Sequence, residues 1–457
     1  MPKIPTSRLA RTAKFGGLVA GQSARWAGTQ AANRLRSDDQ AEKADAKRAL
    51  ALADELVTQL GQMKGAAMKL GQVLSTVDFE LVPEGEREEF KAKLAALRDD
   101  APQVPFKKME KVVVDDLGGS IGEHFKTFNN VPVAAASIGQ VYRATLHDGR
   151  DVAVKVQYPG VAEAVETDLR NAAVLLPLVR RLAPGLDAKA ILKELRDRIG
   201  EELDYELEAQ HHRRVARAFK DHPFIRVPEV VTSMSTRRVL ITEFVDGRGF
   251  AQVQQLPEAE RDRFAEICFR FFYGLLRRER TAAGDPHPGN YLLANDGRVC
   301  FLDFGLVRRM DADYLEGERA LAQAVIAGDA AAVHHGLATL GYLPDPGAFD
   351  PERVLAQLAS AGEWYFNRGF RRLSPEYVRT SMELSGSPAS PYFDEMRRQT
   401  IPPQALLLRR MEGLLFSVLG ELRAGADWGT LALEYIAEEP PSTELGRAEA
   451  AWLGTRA

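Results

Sequence analysis

The chain has 457 residues, of which 45% are hydrophobic and 27% are charged, and its formal net charge is −4. This is ordinary globular composition with room for two lobes and an extension, and the small net charge gives no reason to expect a nucleic-acid partner. The two cysteines, Cys268 and Cys300, do not form a Cys-x-x-Cys pair. Their spacing argues against a disulfide framework or a thiolate zinc site and favours an intracellular protein.

The first 36 residues carry lysines and arginines, no acidic residue, and interleaved apolar residues such as Phe15 and Trp26. This composition suits an amphipathic segment on a membrane surface or, in a eukaryote, a mitochondrial transit peptide. A flexible basic arm is the third interpretation. No apolar run approaches the roughly 18 residues that span a bilayer. We therefore expect a cytoplasmic protein without a transmembrane helix, with peripheral contact at the inner membrane through residues 1–36 as a hypothesis.

The residue pattern changes along the chain and predicts an α+β fold class. At 38–97 apolar residues recur at three and four positions, which predicts helices, and two prolines at 99–105 indicate a linker. Alternating residues on both sides of the turn at 147–150 predict a β-hairpin. The further predicted elements are helices at 161–181 and 188–218, strands at 227–231 and 238–244, and a mainly helical remainder whose folded part ends at Pro440 and Pro441.

The strongest functional signal is a pair of short motifs, GDPHPGN and LDFG. Asp285 in the first motif is the candidate catalytic carboxylate, and Asn290 and Asp303 are candidate Mg²⁺ ligands because both offer hard oxygen atoms. An Asp-x-x-x-x-Asn loop followed by Asp-Phe-Gly is typical of the catalytic core of protein-kinase-like folds. We predict that His287, between two prolines, fixes its loop by a hydrogen bond rather than acting in catalysis.

Lys155 ends a β-branched strand, VAVK, and is the candidate ligand of the α and β phosphates of ATP. Such a lysine needs a carboxylate to hold it, which should come from a following helix. The segment ELDYELEA offers two. We favour Glu202, with Glu208 as the alternative, and a solvated helix face is the simpler interpretation of either residue.

The alanine-rich segment Ala134, Ala135, Ala136 and Ser137 occupies the place of a phosphate-covering glycine loop, about twenty residues before Lys155. Alanine has less backbone freedom than glycine, so this loop should be stiffer and contact phosphates differently. An ordinary loop or helix start is the competing interpretation.

The segment LITEFVDG resembles the strand and hinge between kinase lobes. In that interpretation, backbone groups near Glu243 and Val245 contact the adenine edge of ATP. An ordinary strand and turn is the alternative, because only the position of the segment supports the hinge.

Taken in order, these motifs resemble the UbiB/AarF family of atypical kinase-like proteins, which includes the coenzyme Q8-type proteins. The resemblance covers roughly residues 50–310. It rests on the family's KxGQ signature, alanine-rich loop, lysine strand, ExDY segment, DPHPGN loop and DFG motif, here Lys69-Leu70-Gly71-Gln72, 134–137, 152–155, 202–205, 285–290 and 303–305.

The resemblance implies a bilobal protein-kinase-like fold with a small β-rich N-lobe, a helical C-lobe and an N-terminal helical KxGQ extension across the active site. In this arrangement Lys69 and Gln72 occupy space that a peptide substrate would need. The domains implied are a basic segment at 1–37, the KxGQ extension at 38–105, an N-lobe with a helical insertion at 106–245, a C-lobe at 246–440 and a tail at 441–457.

No Ala-Pro-Glu motif and no long activation segment follow Gly305, so the platform for a peptide substrate is missing. Together with the resemblance, this favours a kinase or ATPase that uses Mg²⁺ and ATP. Lys155, Asn290 and Asp303 would hold the nucleotide and metal, while Asp285 would orient a hydroxyl or a water. The expected partner is an isoprenoid quinone or another lipid-like small molecule. The alternatives are an antibiotic-type small-molecule phosphotransferase and a pseudokinase that only binds nucleotide or lipid.

Two features depart from the family pattern. Gly284 stands where the family often has alanine, which we expect to be a mild change. The C-terminal region also lacks the hydrophobic helices that some bacterial members use as membrane anchors, so the sequence does not predict integral membrane attachment.

Overall fold

The computed structural model describes residues 104–136, 138–167, 200, 203–385 and 390–456. The predicted basic segment and KxGQ extension therefore lie outside the described residues. The chain divides into two compact units. The first unit contains the residues up to Glu206 and Thr232–Ile241, and the second unit contains Leu207–Val231 and Thr242–Ala457.

The strands are β1 (Phe125–Phe128), β2 (Ala134–Ala136), β3 (Gly139–Leu146), β4 (Asp151–Gln157), β5 (Ile225–Arg226), β6 (Val239–Glu243), β7 (Gly247–Gly249), β8 (Thr281–Ala283), β9 (Tyr291–Ala294), β10 (Val299–Phe301), β11 (Val307–Arg309), β12 (Arg371–Arg372) and β13 (Gly425–Ala426). The helices are α1 (Phe106–Leu117), α2 (Ile121–His124), α3 (Tyr205–Ala218), α4 (Phe250–Val253), α5 (Glu258–Glu279), α6 (Ala312–Ala327), α7 (Ala330–Leu340), α8 (Pro351–Ala361), α9 (Glu363–Phe366), α10 (Pro375–Leu384), α11 (Phe393–Met396), α12 (Pro403–Glu421), α13 (Trp428–Ile436) and α14 (Glu444–Gly454).

The first unit is built on a five-stranded sheet in the order β1-β3-β4-β6, with β2 paired to β3. The predicted β3–β4 hairpin is confirmed. Its turn forms because Asp148 accepts the backbone N–H of Arg150 at 3.0 Å and Gly149 adopts a φ of 90°. Buried and partly exposed residues alternate along β3 and β4, so one face of the hairpin is available for packing. Helix α1 packs against β4, with Met109 and Val113 buried.

The second unit is mainly helical and is organised around α5. The residues of α5 from Phe264 to Leu276 are almost all buried, as expected for a helix at the centre of a core. Helices α12 and α13 contact α5. The predicted α+β fold class, with a small sheet-rich part and a larger helical part, is confirmed. Within the described part of the chain, no helix is both long and apolar enough to cross a membrane.

A buried ionic cluster ties α5 to the C-terminal helices. The guanidinium of Arg270 lies 2.7 Å from Glu266, 2.8 Å from Glu434 and 3.3 Å from Glu449. Thr443, the N-cap of α14, accepts a further hydrogen bond from Arg270 at 2.9 Å. Buried charges are tolerated only when they are paired and hydrogen-bonded. The cluster therefore fixes α13 and α14 against α5.

The cluster predicts a defined loss of stability in acid. Burial by itself raises the pKa of Glu449, but the contact with His222 at 3.5 Å and the charges of Arg278 and Arg270 outweigh it and lower this pKa to about 2. A glutamate in the unfolded chain has a pKa of about 4.3. The pKa of Glu449 is lower in the folded protein than in the unfolded chain. The ionised carboxylate therefore stabilises the fold above pH 4.3, and this contribution is lost as the pH falls towards 2.

We expect the free energy of unfolding to decrease more steeply between about pH 4.5 and 2 in the wild type than in Glu449→Gln. The expected difference is about 3 kcal/mol across this window, at about 1.4 kcal/mol for each pKa unit. Urea denaturation at a series of pH values measures it. Equal pH dependence in the two proteins would show that Glu449 is not held ionised.

The strand predicted at 227–231 is wrong. The strand is β5, which pairs in parallel with Val299 and Cys300 of β10, and Val230 forms only an isolated bridge with Thr242. Pro228 explains the difference, because proline has no N–H to donate to a continuing ladder.

The prediction that the folded part ends at Pro440 and Pro441 is also wrong. Helix α14 follows these prolines, and its Leu445 and Trp452 are buried in the second unit. The indole N–H of Trp452 donates to the carbonyl oxygen of Lys220 at 3.1 Å. The two prolines therefore mark a turn between α13 and α14.

Candidate active site

The strand pair β8–β11 places Asp285 beside the DFG segment. Ala283 of β8 lies opposite Val307 of β11, and the N–H of Gly284 donates to the carbonyl oxygen of Leu306 at 2.8 Å. Asp285 leaves this strand pair at the end where the DFG segment enters it.

The hairpin β9–β10 brings Asn290 and Asp303 to its open end. Tyr291 lies opposite Phe301, and the N–H of Leu302 donates to the carbonyl oxygen of Asn290 at 3.0 Å. Asn290 immediately precedes β9, and Asp303 lies two residues after β10. Antiparallel pairing therefore brings both candidate metal ligands to the same open end of the hairpin, although its two strands and turn lie between them in the sequence.

The loop between Asp285 and Asn290 is closed by its own hydrogen bonds. The carbonyl oxygen of Asp285 accepts the N–H of His287 at 2.7 Å and the side-chain amide of Asn290 at 3.3 Å. Nδ1 of His287 accepts the N–H of Gly289 at 3.1 Å. The prediction that His287 fixes its loop through a hydrogen bond is confirmed.

Asn290 and Asp303 fit the requirements of a Mg²⁺ site. The amide nitrogen of Asn290 is engaged with the Asp285 carbonyl, so the oxygen of this amide is the atom that could bind a metal. The carboxylate of Asp303 is held by the N–H of Gly305, which donates to Oδ1 at 2.9 Å. An amide and a carboxylate supply the hard oxygen that Mg²⁺ prefers. Among the described residues, His, Cys, Asp and Glu form no cluster of three or more that could hold a metal.

Asp285, Asn290 and Asp303 line one cavity of the second unit, together with mainly aromatic and aliphatic side chains. Tyr291 also lines this cavity. Its burial, with smaller contributions from Cys268 and Asp285, raises the pKa of Tyr291 well above the usual value. The hydroxyl therefore stays neutral, and Asp285 and Asp303 are the acidic residues of the cavity lining. Its other lining residues are Phe271, Phe272, Ala283, Phe301, Leu302, Phe304 and Leu306.

Arg410, on α12, contacts the candidate catalytic loop. Its Nε donates to the carbonyl oxygen of Gly284 at 2.9 Å, and its Nη2 lies 3.4 Å from Oδ1 of Asp285. The arginine thus holds the backbone and the carboxylate of the loop together. We did not identify Arg410 from the sequence, because it follows Asp285 by 125 residues and no local motif marks it.

Gly284 allows α12 to approach the loop closely. A Cβ atom at this position would lie 2.0 Å from Cδ1 and 2.9 Å from Cγ of Leu407, which is buried on α12. It would also lie 3.1 Å from Cδ2 of Leu306. Because Leu407 occupies the space of the missing methyl group, the structure argues against the expectation that glycine in place of alanine is a mild change.

We expect Gly284→Ala to lower the free energy of unfolding by about 1–3 kcal/mol, the usual cost of overpacking a core. The cost should shrink in a Leu407→Ala background, where the space is vacant. Urea denaturation of the four proteins of this double-mutant cycle measures the coupling. Gly413→Ala on the same helix is the control, because a Cβ there would meet no atom within 4 Å. An equal cost of Gly284→Ala in both backgrounds would contradict the assignment.

Lys155 lies in β4 of the first unit, opposite Val141 of β3. Its Nζ lies 5.0 Å from the centre of the Tyr205 ring, a cation–π distance. Tyr205 is the buried tyrosine of the ExDY segment. The pattern of this segment pointed only to its acidic residues, whereas the ring of Tyr205 places the segment against the lysine.

Gln157 is a second supporting residue, which no sequence motif marks. Its buried side-chain amide donates to the carbonyl oxygen of Leu203 at 3.0 Å and to that of Arg237 at 3.2 Å. Gln157 lies two residues after Lys155 on β4. Its amide therefore ties the ExDY segment to the strand that carries the lysine.

The alanine-rich segment forms a short strand. Ala134 pairs with Val141 and Ala136 with Gly139, while Ser137 lies outside the described residues. A Cβ on Gly139 would lie 2.2 Å from the carbonyl oxygen of Val156, so glycine is needed for close approach of the backbones. The alanines therefore belong to the edge of the sheet.

The candidate hinge residues lie at the end of β6 and just after it. The N–H of Glu243 donates to the carbonyl oxygen of Glu229 at 2.8 Å, and its carboxylate pairs with Arg226 at 2.5 Å. The N–H of Glu243 is thus already engaged, which makes its carbonyl oxygen the backbone atom that could accept from an adenine. Val245, two residues further on, is buried.

The structure describes only one of the two candidate glutamates. Glu202 lies outside the described residues, as do Lys69 and Gln72. Glu208 is buried on α3, which excludes a solvated helix face for this residue. Its carboxylate oxygen lies 3.7 Å from the position that a Cβ on Gly305 would occupy. Within the second unit, Glu208 therefore lies beside the DFG segment.

Comparison with known proteins identifies the family. A model of the ABC1 atypical kinase-like domain matches residues 96–336. The mitochondrial atypical kinase COQ8B of Rattus norvegicus is 34% identical over 332 residues, which cover 72% of this chain and 62% of the relative. The AarF domain-containing protein kinase 1 of Gallus gallus is 30% identical over 376 residues, which cover 79% of this chain and 69% of the relative.

Among solved structures, the Rv3197–erythromycin complex from Mycobacterium tuberculosis is similar, with a TM-score of 0.62 and 30% identity. The match covers 84% of this chain and 95% of that one. The chain spans 62%, 42% and 53% of the lengths of the COQ8-type relatives from Rattus norvegicus, Caenorhabditis elegans and Danio rerio. The description of the matching family supports a protein-kinase-like fold. The resemblance to the UbiB/AarF proteins is thus confirmed, and the chain belongs to the ABC1 atypical kinase-like family.

Proposed function

We propose that this protein binds ATP with Mg²⁺ and transfers the terminal phosphoryl group to a small molecule or to water. The observation that supports this most directly is the convergence of Asp285, Asn290 and Asp303 on one cavity. Asn290 and Asp303 would hold the metal, and Lys155 would contact the α and β phosphates. When bound, Mg²⁺ neutralises charge on the phosphate oxygens.

Asp285 would orient the acceptor, either a hydroxyl group or a water. Arg410 supports this role by holding the Asp285 carboxylate and the preceding carbonyl in one arrangement. Phosphoryl transfer needs little covalent chemistry from the protein, so positioning and electrostatic stabilisation would supply the rate enhancement. For the nucleotide, Ala134–Ala136 and Ser137 would cover phosphates, and backbone groups at Glu243 and Val245 would contact the adenine.

We propose Glu208, rather than the Glu202 favoured from the sequence, as the helix carboxylate of the catalytic machinery. Its burial and its position beside Gly305 support this choice. A carboxylate buried next to the candidate metal ligand Asp303 is placed to help hold a bound cation. Glu208→Gln should therefore weaken nucleotide binding in the presence of Mg²⁺, measured by calorimetry.

A small molecule is a better acceptor than a protein. Only Leu306, β11 and a two-residue link separate the DFG motif at 303–305 from α6, whose first residue is Ala312. This leaves no room for the long activation segment on which protein kinases bind peptides. An isoprenoid quinone or another lipid-like molecule is the acceptor or coupled partner that we propose, with peripheral membrane contact through residues 1–36 and with Lys69 and Gln72 beside the active site.

The test is ATP turnover by the full chain, measured as release of ADP and phosphate with and without Mg²⁺. Phosphatidylcholine vesicles with and without an added isoprenoid quinone form the second pair of conditions, with mass spectrometry of the products. We expect Mg²⁺-dependent turnover that the quinone vesicles increase. Failure to bind ATP with or without Mg²⁺ would contradict the proposal. Tight binding without turnover in every condition would instead favour a pseudokinase.

The structural similarity to an erythromycin complex favours a second candidate, an antibiotic-type phosphotransferase. The discriminating experiment incubates the protein with erythromycin, ATP and Mg²⁺ and analyses the products by mass spectrometry. A phosphorylated macrolide would support this candidate, and unchanged erythromycin alongside vesicle-stimulated turnover would exclude it.

A further inference from the structure

Helix α3 presents three side chains to the DFG segment. Glu208, His211 and His212 are spaced by three and four residues and therefore share one face of the helix. The His212 ring packs edge-on against the Phe304 ring, with 4.7 Å between their centres. The carboxylate of Glu208 borders Gly305. This face of α3 therefore lies against the peptide bond between Phe304 and Gly305.

His211 contacts that peptide directly. Its Nδ1 lies 3.3 Å from the carbonyl oxygen of Phe304. A carbonyl oxygen only accepts hydrogen bonds, so Nδ1 of His211 must carry the hydrogen and donate it. The contact therefore specifies the tautomer of the imidazole in its neutral form.

The same peptide also holds Asp303. Its N–H belongs to Gly305 and donates to Oδ1 of Asp303 at 2.9 Å. The two ends of one rigid peptide plane are thus engaged, the carbonyl by His211 and the N–H by the Asp303 carboxylate. Rotation of this plane would break both hydrogen bonds together. The orientation of the Asp303 carboxylate therefore depends on the bond from His211.

We propose that His211 is a positioning residue for the metal ligand Asp303. It acts through the Phe304–Gly305 peptide and does not touch the metal or the substrate itself. The inference rests on the proposed function of Asp303. Partners of this kind, which hold a ligating carboxylate in place, change metal affinity by about 10- to 100-fold when they are removed.

The test compares His211→Asn with His211→Leu. Asparagine places an N–H near the position of Nδ1, whereas leucine has a similar shape and no donor. The dissociation constant of Mn²⁺ for the ADP-saturated protein, measured by electron paramagnetic resonance, is the readout. We expect leucine to raise this constant about 10- to 100-fold, as for loss of other outer-shell partners, and asparagine to restore most of the affinity. Thermal unfolding checks that both variants are folded.

His334→Leu is the control. Its Nε2 lies 2.9 Å from the carbonyl oxygen of Pro346, a comparable bond outside the candidate site, and its loss should leave Mn²⁺ affinity unchanged. Wild-type affinity in His211→Leu would overturn the inference, and so would equal weakening by asparagine and leucine in folded proteins. No Mn²⁺ binding by the wild type in the presence of ADP would contradict the proposed function itself.

Discussion

Replacing Asp303 with asparagine is expected to lower Mg²⁺-dependent ATP turnover by about 10²–10³-fold, the loss typical of one electrostatic group in a preorganised site. The substitution removes the negative charge that a divalent cation needs. It keeps a side-chain oxygen that can accept the N–H of Gly305, the bond that now holds Oδ1 at 2.9 Å. The loop should therefore keep its shape, and the loss should arise from the metal site rather than from unfolding.

Asp296→Asn is the matched control for this experiment. Asp296 lies in the turn at the other end of the β9–β10 hairpin, and its Oδ1 accepts the N–H of Arg298 at 3.1 Å. The change removes the same charge and keeps the same kind of bond, so turnover should stay near the wild-type value. Turnover is measured over a titration of Mg²⁺. If Asp303→Asn and Asp296→Asn are equally active, Asp303 is not a metal ligand.

Replacing Arg270 with methionine is expected to cost about 3–5 kcal/mol of unfolding free energy, the usual penalty for breaking a buried ion pair from one side. The guanidinium is 1% exposed and contacts Glu434 and Glu449, which are 8% and 5% exposed. Methionine fills much of the volume but leaves these carboxylates without their shared partner. The largest loss of order should fall on α13 and α14, which the arginine connects to α5.

Arg319→Met provides the comparison. Arg319 forms ion pairs with Glu316 at 2.6 Å and Glu438 at 3.5 Å, and these two carboxylates are 61% and 82% exposed. Exposed pairs contribute about 0–1 kcal/mol, so this variant should resemble the wild type. Urea denaturation measures both variants. A similar small effect of the two substitutions would show that the Arg270 cluster does not hold the C-terminal helices.

The sequence predicted the candidate site most accurately where the interacting residues are neighbours in the chain. The loop from Asp285 to Asn290 closes through bonds within the loop, and His287 has the role that its position between prolines indicated. The β3–β4 hairpin was also predictable, because Asp148 and Gly149 determine its turn locally. Both cases depend on contacts between residues only a few positions apart.

Predictions failed where the outcome depended on distant packing. Gly284 looked unremarkable until Leu407 was seen to fill the space beside it. Pro440 and Pro441 resembled the end of the fold in the sequence. The residues against which Leu445 and Trp452 pack are remote in sequence, so no local pattern showed that a buried helix follows. The choice between Glu202 and Glu208 stays a prediction, since both lie in the same polar segment and Glu202 lies outside the described residues.

Short motifs encode local turns and hard oxygen ligands, so they were enough to predict the family, the α+β class and the candidate residues for phosphate and metal. Tertiary packing was needed to find the distant side chains that support these candidates: Arg410 on the candidate catalytic loop, Gln157 on the lysine strand and His211 on the DFG peptide. Each of these contacts joins elements that are separated by tens of residues or more. Which residues come into contact depends on how helices and strands pack, and a local residue pattern does not encode that packing.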